Sequence, residues 1–254
     1  MSSAPAAARE LFGSRLGQAE AYAALLTGPG VERGLIGPAE AVRIWERHLL
    51  NSGLVAELLP EDSAGDCQLV DLGSGAGLPG VVLAILRPAV LVTLVEPMAR
   101  RTSFLAECVS ELGLSNVEIR RGRAEDLAGE IQADVVTARA VARLDRLAVL
   151  AAGLCRPGGL VLAMKGASAA AELEEARPAL LALGGTEAEI VTAGRDLVTE
   201  GLIDQPATVV RFRVGRGSGR GPEHAARAGS RRPGSASRPA GQVAGRPRRG
   251  GRSA

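Results

Sequence analysis

A glycine-rich segment carries the clearest chemistry in the sequence. An apolar run leads into Asp71, and residues 73–80 follow as Gly-Ser-Gly-Ala-Gly-Leu-Pro-Gly. Glycines at this spacing let the backbone turn sharply and let a ligand approach the main chain closely. A strand that enters such a loop and leaves it as a helix is typical of sites for nucleotide-like ligands. The segment therefore predicts a binding site at the end of a strand.

The same segment distinguishes two candidate ligands. Gly75, Gly77 and Gly80 match the GxGxxG pattern of NAD sites, although that match alone is weak. Asp71 would repel a pyrophosphate, and Pro79 removes an amide that a phosphate would use. A strand-end acid instead suits a ligand with an α-amino group and no phosphate, and S-adenosylmethionine is such a ligand. The predicted contacts of S-adenosylmethionine in this segment are Asp71, Gly73, Ser74 and Gly75.

Two further positions extend the predicted pocket. Glu96 ends the next predicted strand, where a carboxylate can accept hydrogen bonds from both hydroxyls of a ribose. The alternative for Glu96 is an ordinary helix N-terminal acid before Pro97. Residues 122–126 follow the third predicted strand, in the turn that covers the adenine in a methyltransferase. Without that context, Glu125 would lie in a solvated loop or a helix cap.

The pattern of apolar residues predicts the elements that position these groups. Residues 1–60 have helical periodicity, which residues 28–30 interrupt and Gly37-Pro38 restarts. From Cys67 onward, short Val- and Leu-rich runs alternate with helical stretches, which is the signature of a doubly wound, mostly parallel α/β sheet. The predicted strands are 68–72, 91–95, 117–121, 134–137, 160–164 and 208–214. The predicted helices between them are 78–86, 99–112, 144–154 and 169–183.

Several blocks of this sequence resemble those of a known family. They are residues 47–52 (Arg-His-Leu-Leu-Asn-Ser), 71–80, 86–88, 100–105, 138–140 and 164–166. From about Arg33 to Val214, the chain resembles the bacterial 16S ribosomal RNA guanine-N7 methyltransferases, historically called glucose-inhibited division protein B. The resemblance implies a Rossmann-like class I methyltransferase with a seven-stranded sheet and an N-terminal helical cap. It also implies S-adenosylmethionine as the methyl donor and 16S ribosomal RNA of the small ribosomal subunit as the partner.

The resemblance also places residues at the site. The cofactor contacts that it implies are Gly73, Leu78, Ala124, Glu125 and Arg139. We divide the chain into a helical cap (1–60), a methyltransferase domain (61–215) and a disordered, Arg- and Gly-rich tail (216–254). Guanine N7 has an in-plane lone pair and no proton to remove, so positioning matters more than a catalytic base.

Three basic side chains are candidates for the catalytic side of the site. Arg139 follows the fourth predicted strand and Lys165 closes the fifth, at the carboxyl edge where α/β sheets bind ligands. Arg139 would meet the methionine carboxylate or an RNA phosphate, or else form a surface salt bridge. Lys165 is the sole lysine of an arginine-rich chain, which suggests that arginine cannot replace it. The resemblance favours His48 at the RNA-facing side, whereas its own position predicts a partly buried structural histidine.

Amino-acid composition excludes several classes of protein. The 254 residues are 46% apolar and 2% aromatic, which allows one sizeable aliphatic core. Cys67, Cys108 and Cys155 are far apart and odd in number, which argues against disulfides and a zinc site. No apolar run approaches the ~20 residues of a membrane span. We therefore predict a cytoplasmic protein without metal or membrane contact, and we expect it to be a monomer.

The basic residues are concentrated at the end of the chain. Residues 216–254 contain ten arginines and one glutamate, whereas the preceding residues hold 20 basic and 27 acidic side chains. The tail is rich in Gly, Ser and Pro and cannot bury enough surface to offset chain entropy, so we predict disorder. Arginine pairs with phosphate, which favours a polyanionic partner. The alternative is a passenger segment that follows base composition.

Three other functions stay open at this level. The first is a methyltransferase of the same fold that acts on another substrate. The second is an NAD-dependent oxidoreductase that uses the GxGxxG match, and the third is a catalytically silent RNA-binding protein. Retention of S-adenosylmethionine but not NADH separates the methyltransferases from the oxidoreductase, and methyl transfer to small ribosomal subunits excludes the silent binder.

Overall fold

A seven-stranded sheet forms the centre of the computed structural model, which describes residues 3–60, 67–184 and 188–215. The strand order is β3-β2-β1-β4-β5-β7-β6, and β7 alone among these strands runs opposite to the other six. The strands are β1 (Gln68–Leu72), β2 (Leu91–Glu96), β3 (Val117–Arg121), β4 (Ala133–Arg139), β5 (Cys155–Lys165), β6 (Glu189–Ala193) and β7 (Ala207–Arg213). The prediction of a doubly wound, mostly parallel sheet is confirmed.

Helices cover both faces of this sheet because the strands are apolar on both sides. Leu69 and Val135 face one core, and their neighbours Val70 and Val136 face the other, as the two-residue repeat of a strand requires. The helices of this part are α6 (Gly80–Leu86), α7 (Ala99–Glu111), α8 (Leu144–Leu154), α9 (Ala169–Ala182) and α10 (Arg195–Thr199). The first core contains side chains of α6 and α7, and the second contains those of α8 and α9.

The N-terminal segment packs into the first of these cores. Its α-helices are α1 (Ala6–Phe12), α2 (Leu16–Thr27), α3 (Pro29–Glu32), α4 (Pro38–Ala41) and α5 (Asn51–Gly53). Tyr22 of α2 is fully buried, and its hydroxyl donates a hydrogen bond of 2.7 Å to the carbonyl of Ala76 in the glycine loop. The N-terminal helices therefore hold the glycine loop from outside the sheet.

The helical stretch predicted around residues 39–59 is divided in the structure. A π-helical turn (Ile44–Leu50) lies between α4 and α5, and a 3₁₀ turn (Leu54–Leu58) follows. Ile44, Trp45, His48, Leu49 and Leu50 are all buried, so the segment buries more of its circumference than the single stripe of a regular helix. The helical periodicity therefore agrees with helical turns in the structure, but it does not distinguish a π turn from an α-helix.

Sequence patterns missed β6 and α10 at the sheet edge. The residues of β6 are mostly exposed or half-buried, and β6 pairs only with β7 among the described strands. Such an edge strand lacks the continuous apolar run that marks a central strand. The predicted disordered tail lies outside the described residues.

The described ranges also bear on two other sequence expectations. No helix within them is long and apolar enough to cross a bilayer. No group of three or more His, Cys, Asp or Glu side chains within them is placed to hold a metal ion.

Candidate cofactor and substrate site

A cavity of about 510 Å³ lies at the carboxyl ends of β1, β2, β3 and β4. This is the edge where the strand order reverses between β1 and β4, and where open α/β sheets bind ligands. The lining residues are Leu72, Gly73, Val95, Glu96, Pro97, Met98, Arg101, Gly122, Arg123, Ala124, Glu125, Ala140, Val141, Ala142, Arg146 and Leu150. The predicted cofactor residues Gly73, Glu96, Ala124 and Glu125 are therefore together at one cavity.

A second cavity of about 350 Å³ has a different character. Leu58 and Phe212 are among its lining residues, with the exposed ion pair of Arg211 and Glu189. None of the predicted site residues lines it. The larger cavity is the better candidate for the cofactor site because four predicted cofactor residues line it.

The glycine loop uses its own amides to hold its shape. Gly73 and Ser74 donate to the carbonyl of Val95 at 2.9 and 3.1 Å, and Gly77 and Leu78 donate to that of Ser74. Gly73 has φ +71°, and a Cβ atom there would lie 2.7 Å from Val141 Cγ2. Because these amides are already paired, the loop offers few donors to a phosphate, which agrees with a ligand that has none.

Glu96 connects the cavity with the glycine loop. Its side chain is 1% exposed. Oε2 accepts a hydrogen bond of 3.0 Å from the Gly75 amide, and Oε1 accepts one of 2.9 Å from the Met98 amide. Arg101 approaches Oε2 at 3.4 Å. The carboxylate thus fixes the loop while it lines the cavity.

Replacing Glu96 with alanine is expected to weaken cofactor binding by ~1–3 kcal/mol, the scale of charge-assisted hydrogen bonds. Titration calorimetry with S-adenosylmethionine measures this change. Glu111→Ala is the matched control because Glu111 is an exposed glutamate on α7 with no ion pair among the described residues. Equal affinities of the Glu96→Ala variant and the parent would remove Glu96 from the site.

Asp71 is buried beneath the loop rather than lining the cavity. Its carboxyl group is 0% exposed, and Oδ2 accepts a 3.0 Å hydrogen bond from the Gly80 amide. Oδ1 has no hydrogen-bond partner among the described residues. Burial raises the pKa of Asp71 to about 7. A Cβ at Gly80 would lie 2.6 Å from Asp71 Oδ2, so the final glycine of the motif makes room for this carboxyl group.

Four other predicted cofactor residues also lie outside the cavity lining: Ser74, Gly75, Leu78 and Arg139. Ser74 is buried, and its hydroxyl donates to the carbonyl of Asp71 at 2.9 Å. Leu78 is buried in the first core and precedes a cis peptide bond to Pro79. The roles of Asp71, Ser74, Gly75, Leu78 and Arg139 toward a ligand stay predictions.

His48 and Arg139 meet although 91 residues separate them. Arg139 ends β4, and its guanidinium donates to Ser52 Oγ at 3.2 Å, to the Arg47 carbonyl at 2.8 Å and to His48 Nδ1 at 3.1 Å. A guanidinium can only donate, so Nδ1 of His48 accepts and Nε2 carries the proton. Nε2 then donates to Glu40 at 2.9 Å. We call these residues (Glu40, His48, Ser52 and Arg139) the His48–Arg139 cluster.

The imidazole of this cluster is neutral near pH 7. Burial, followed by the positive charge of Arg139, lowers the pKa of His48, and the contact with Glu40 only partly opposes this. The cluster joins the N-terminal helices to the end of β4. Glu40 and Ser52 were not predicted, and no pattern in the sequence connects them to Arg139.

Lys165 lies at the same sheet edge but makes different contacts. It ends β5, where Met164 pairs with Arg139 in the strand register. Its Nζ donates to Glu172 Oε2 at 2.7 Å and to the Ala142 carbonyl at 2.9 Å. The structure therefore does not place Lys165 in the His48–Arg139 cluster. Glu172 is a third residue that sequence reasoning missed, after Glu40 and Ser52.

Comparisons with known proteins agree on one family. Residues 15–199 match the family model GidB, described as rRNA small subunit methyltransferase G. The "Ribosomal RNA small subunit methyltransferase G" of Thermobifida fusca is 53% identical over 82% of this chain and 84% of its own length. The protein of the same name from Streptomyces coelicolor is 48% identical over 85% of this chain and 87% of its own.

The fold of this chain is also similar to that of a solved methyltransferase structure. A SAM-dependent O-methyltransferase from Thermotoga maritima has a TM-score of 0.50 and 15% sequence identity, over 65% of this chain and 64% of its own. At that identity the similarity concerns the fold alone. The predicted Rossmann-like methyltransferase fold is confirmed.

Proposed function

The chain belongs to the GidB family, rRNA small subunit methyltransferase G, and from this premise we propose that it transfers a methyl group from S-adenosylmethionine to N7 of a guanine in 16S ribosomal RNA. The predicted class, an S-adenosylmethionine-dependent rRNA methyltransferase, is confirmed by the family. The NAD-dependent alternative is not supported by it. The proposal therefore concerns the base, its reacting atom and the residues that act on them.

The cavity fits S-adenosylmethionine. The observation that carries this fit is the glycine loop, whose amides are paired within the protein while Glu96 stands at the cavity wall. Glu96 would accept the ribose hydroxyls, Gly73 would allow the methionine part to approach, and Ala124 and Glu125 would border the adenine. When bound, this cofactor supplies an electrophilic methyl group.

Methyl transfer to guanine N7 needs correct positioning of the base rather than removal of a proton. Guanine N7 attacks with a lone pair, so no residue has to act as a general base. Positive charge develops on the purine during the transfer, and a neutral His48 adds no second positive charge beside it. We assign His48 and Arg139 to the RNA-facing side, where Arg139 would meet an RNA phosphate.

Three exposed arginines beside the cavity would bind the RNA backbone. Arg100, Arg121 and Arg123 are exposed and form no ion pair among the described residues. The register pairs Arg121 with Glu96, so the β3 end lies next to the cavity, which Arg123 lines. Arg100 lies in the first turn of α7, where a cation is unfavourable for the helix dipole, so helix stability does not explain it. We call these three residues the rim arginines.

Replacing the rim arginines with glutamine (Arg100, Arg121 and Arg123 together) is expected to weaken RNA binding about tenfold at low salt and to reduce the slope of log K against log salt by roughly two. Filter binding of 16S RNA over a salt series measures both. The matched control is Arg9→Gln, Arg15→Gln and Arg195→Gln, which removes the same charge from α1, the turn after it and α10. A slope equal to that of the control would place the RNA elsewhere.

Methyl transfer to purified small ribosomal subunits tests the function directly. Nucleoside mass mapping should find one new 7-methylguanosine in 16S RNA after incubation with the protein and S-adenosylmethionine. Methylation at another atom or base would overturn the proposed N7 chemistry. We also propose that the protein acts as a monomer in the cytoplasm and that the basic segment 216–254 assists RNA encounter.

A further inference from the structure

One partly buried ion pair holds the connection between β4 and α8 from both sides. Lys165 Nζ donates to the Ala142 carbonyl, and its partner Glu172 accepts a 3.1 Å hydrogen bond from the Leu144 amide. The side chains of Lys165 and Glu172 are only 10% and 17% exposed. The contact with Lys165 lowers the pKa of Glu172. Solvent screens the attraction between the charges of such a pair only weakly. Since the pair also bonds to Ala142 and Leu144, it fixes the backbone on either side of Arg143.

The connection that this pair holds is strained. Ala140 has φ +56° and is the sole non-glycine residue with positive φ in the described part of the chain. An alanine there costs free energy because Cβ crowds the backbone, and it persists when surrounding contacts impose it. Ala140 lies between Arg139 of the His48–Arg139 cluster and Val141, so its conformation decides where both side chains point.

The strained connection forms one wall of the cofactor cavity. Ala140, Val141 and Ala142 all line the cavity, and Val141 lies against Gly73 of the glycine loop. Lys165 and Glu172 themselves do not line it. They therefore have no direct path to a ligand in the cavity, but they fix the residues that do.

We infer that Lys165 and Glu172 are positioning residues, which clamp the connection of residues 140–143 so that Val141 closes the cavity and Arg139 faces His48. This inference rests on the proposed function, and it replaces a catalytic role for Lys165 with an indirect one. It also explains the lysine: one Nζ meets two acceptors at 2.7 and 2.9 Å. The wider guanidinium of arginine would leave buried N–H groups without partners there.

Binding of S-adenosylhomocysteine, without RNA, tests the clamp. The double variant Lys165→Met with Glu172→Leu replaces the partly buried pair with apolar side chains of similar size, which a fold commonly tolerates. The dissociation constant of this double variant for S-adenosylhomocysteine should rise about tenfold, which is within the usual range of coupling between sites. Lys165→Arg should show a loss in the same direction. Calorimetry well below the melting temperature measures both variants, and parent-like affinity in either would overturn the clamp.

A rescue experiment tests the strain itself. Glycine adopts positive φ freely, so adding Ala140→Gly to the double variant should recover part of the lost affinity. A triple variant that binds as weakly as the double variant would overturn the role given to Ala140. The matched control is Arg177→Met with Glu174→Leu, an exposed ion pair of 2.7 Å on the same helix, which should leave affinity unchanged.

Failure of the clamp and failure of the proposed function give different results in these experiments. A parent protein that binds S-adenosylhomocysteine but does not methylate 16S RNA would contradict the proposed function alone. A parent that methylates guanine N7, with a double variant of equal affinity for S-adenosylhomocysteine, would contradict only the clamp.

Discussion

Replacing Asp71 with asparagine should remove a fall in the protein's stability that the parent shows between about pH 4 and pH 7. Burial raises the pKa of Asp71 from 3.8 to about 7. The folded protein therefore holds this proton over a range in which the unfolded chain has lost it. Stability from this group is full below the unfolded pKa and falls as pH rises through the folded one. Asparagine has the same shape and no such proton.

Urea unfolding at pH 5 and pH 8 measures this prediction. The stability of the variant relative to the parent should increase by about 3 kcal/mol from the lower to the higher pH, since each unit of pKa shift is worth about 1.4 kcal/mol. Other carboxyl groups with shifted pKa values are the same in both proteins. The difference in the free energy of unfolding between variant and parent therefore cancels the contributions of Glu40, Glu172 and Asp134, whose pKa values are lowered. Parallel curves would show that Asp71 is already ionised at pH 5.

The same variant tests the role that the sequence suggested for Asp71. If the carboxylate held the α-amino group of the cofactor, asparagine would lose a charge pair and affinity would fall. Its burial and its bond to Gly80 instead predict parent-like affinity for S-adenosylmethionine at pH 8. Calorimetry on the protein used for unfolding distinguishes a ligand contact from a support of the loop.

The sheet could be predicted because its central strands are buried on both faces. Strand β1 (Gln68–Leu72) and helix α8 (Leu144–Leu154) have the predicted bounds, since apolar residues begin and end where the elements do. Strand β6 escaped because an edge strand needs no continuous apolar run. That Gly73 and Glu96 lie at one cavity could be predicted because the approach of a ligand restricts both residue type and spacing at the end of a strand.

Side-chain direction was the part that the sequence did not supply. Asp71 was expected to face a ligand, but the missing side chain of Gly80 gives its carboxyl group a buried place beneath the loop. Lys165 lies at the edge that its place at the end of the fifth strand predicts, yet its partner Glu172 depends on how α9 packs against α8 and β7. The contact of His48 with Arg139 depends on a π turn and on a packing interface, and neither leaves a pattern in the chain.

Replacing Arg139 with alanine should reduce methyl transfer to small ribosomal subunits by at least about 100-fold, the cost of misplacing reacting groups. Arg139 is the group that joins β4 to Ser52, Arg47 and His48. Without it, the buried Ser52 hydroxyl and His48 lose a partner, and residues 47–52 are no longer hydrogen-bonded to the end of β4. Arg139→Lys should recover little, because one ammonium group cannot reach three acceptors in a fork geometry.

The affinity of the Arg139→Ala variant for S-adenosylhomocysteine decides what Arg139 touches. Arg139 does not line the cavity, so we expect affinity close to that of the parent, with the loss confined to the transfer rate and to the KM for ribosomal subunits. Arg143→Ala is the matched control: Arg143 is exposed on the same connection and pairs with Glu175, so its removal should leave the transfer rate unchanged. A large fall in S-adenosylhomocysteine affinity in Arg139→Ala would instead place Arg139 on the methionine carboxylate. The RNA-facing assignment would then pass to His48 and the rim arginines alone.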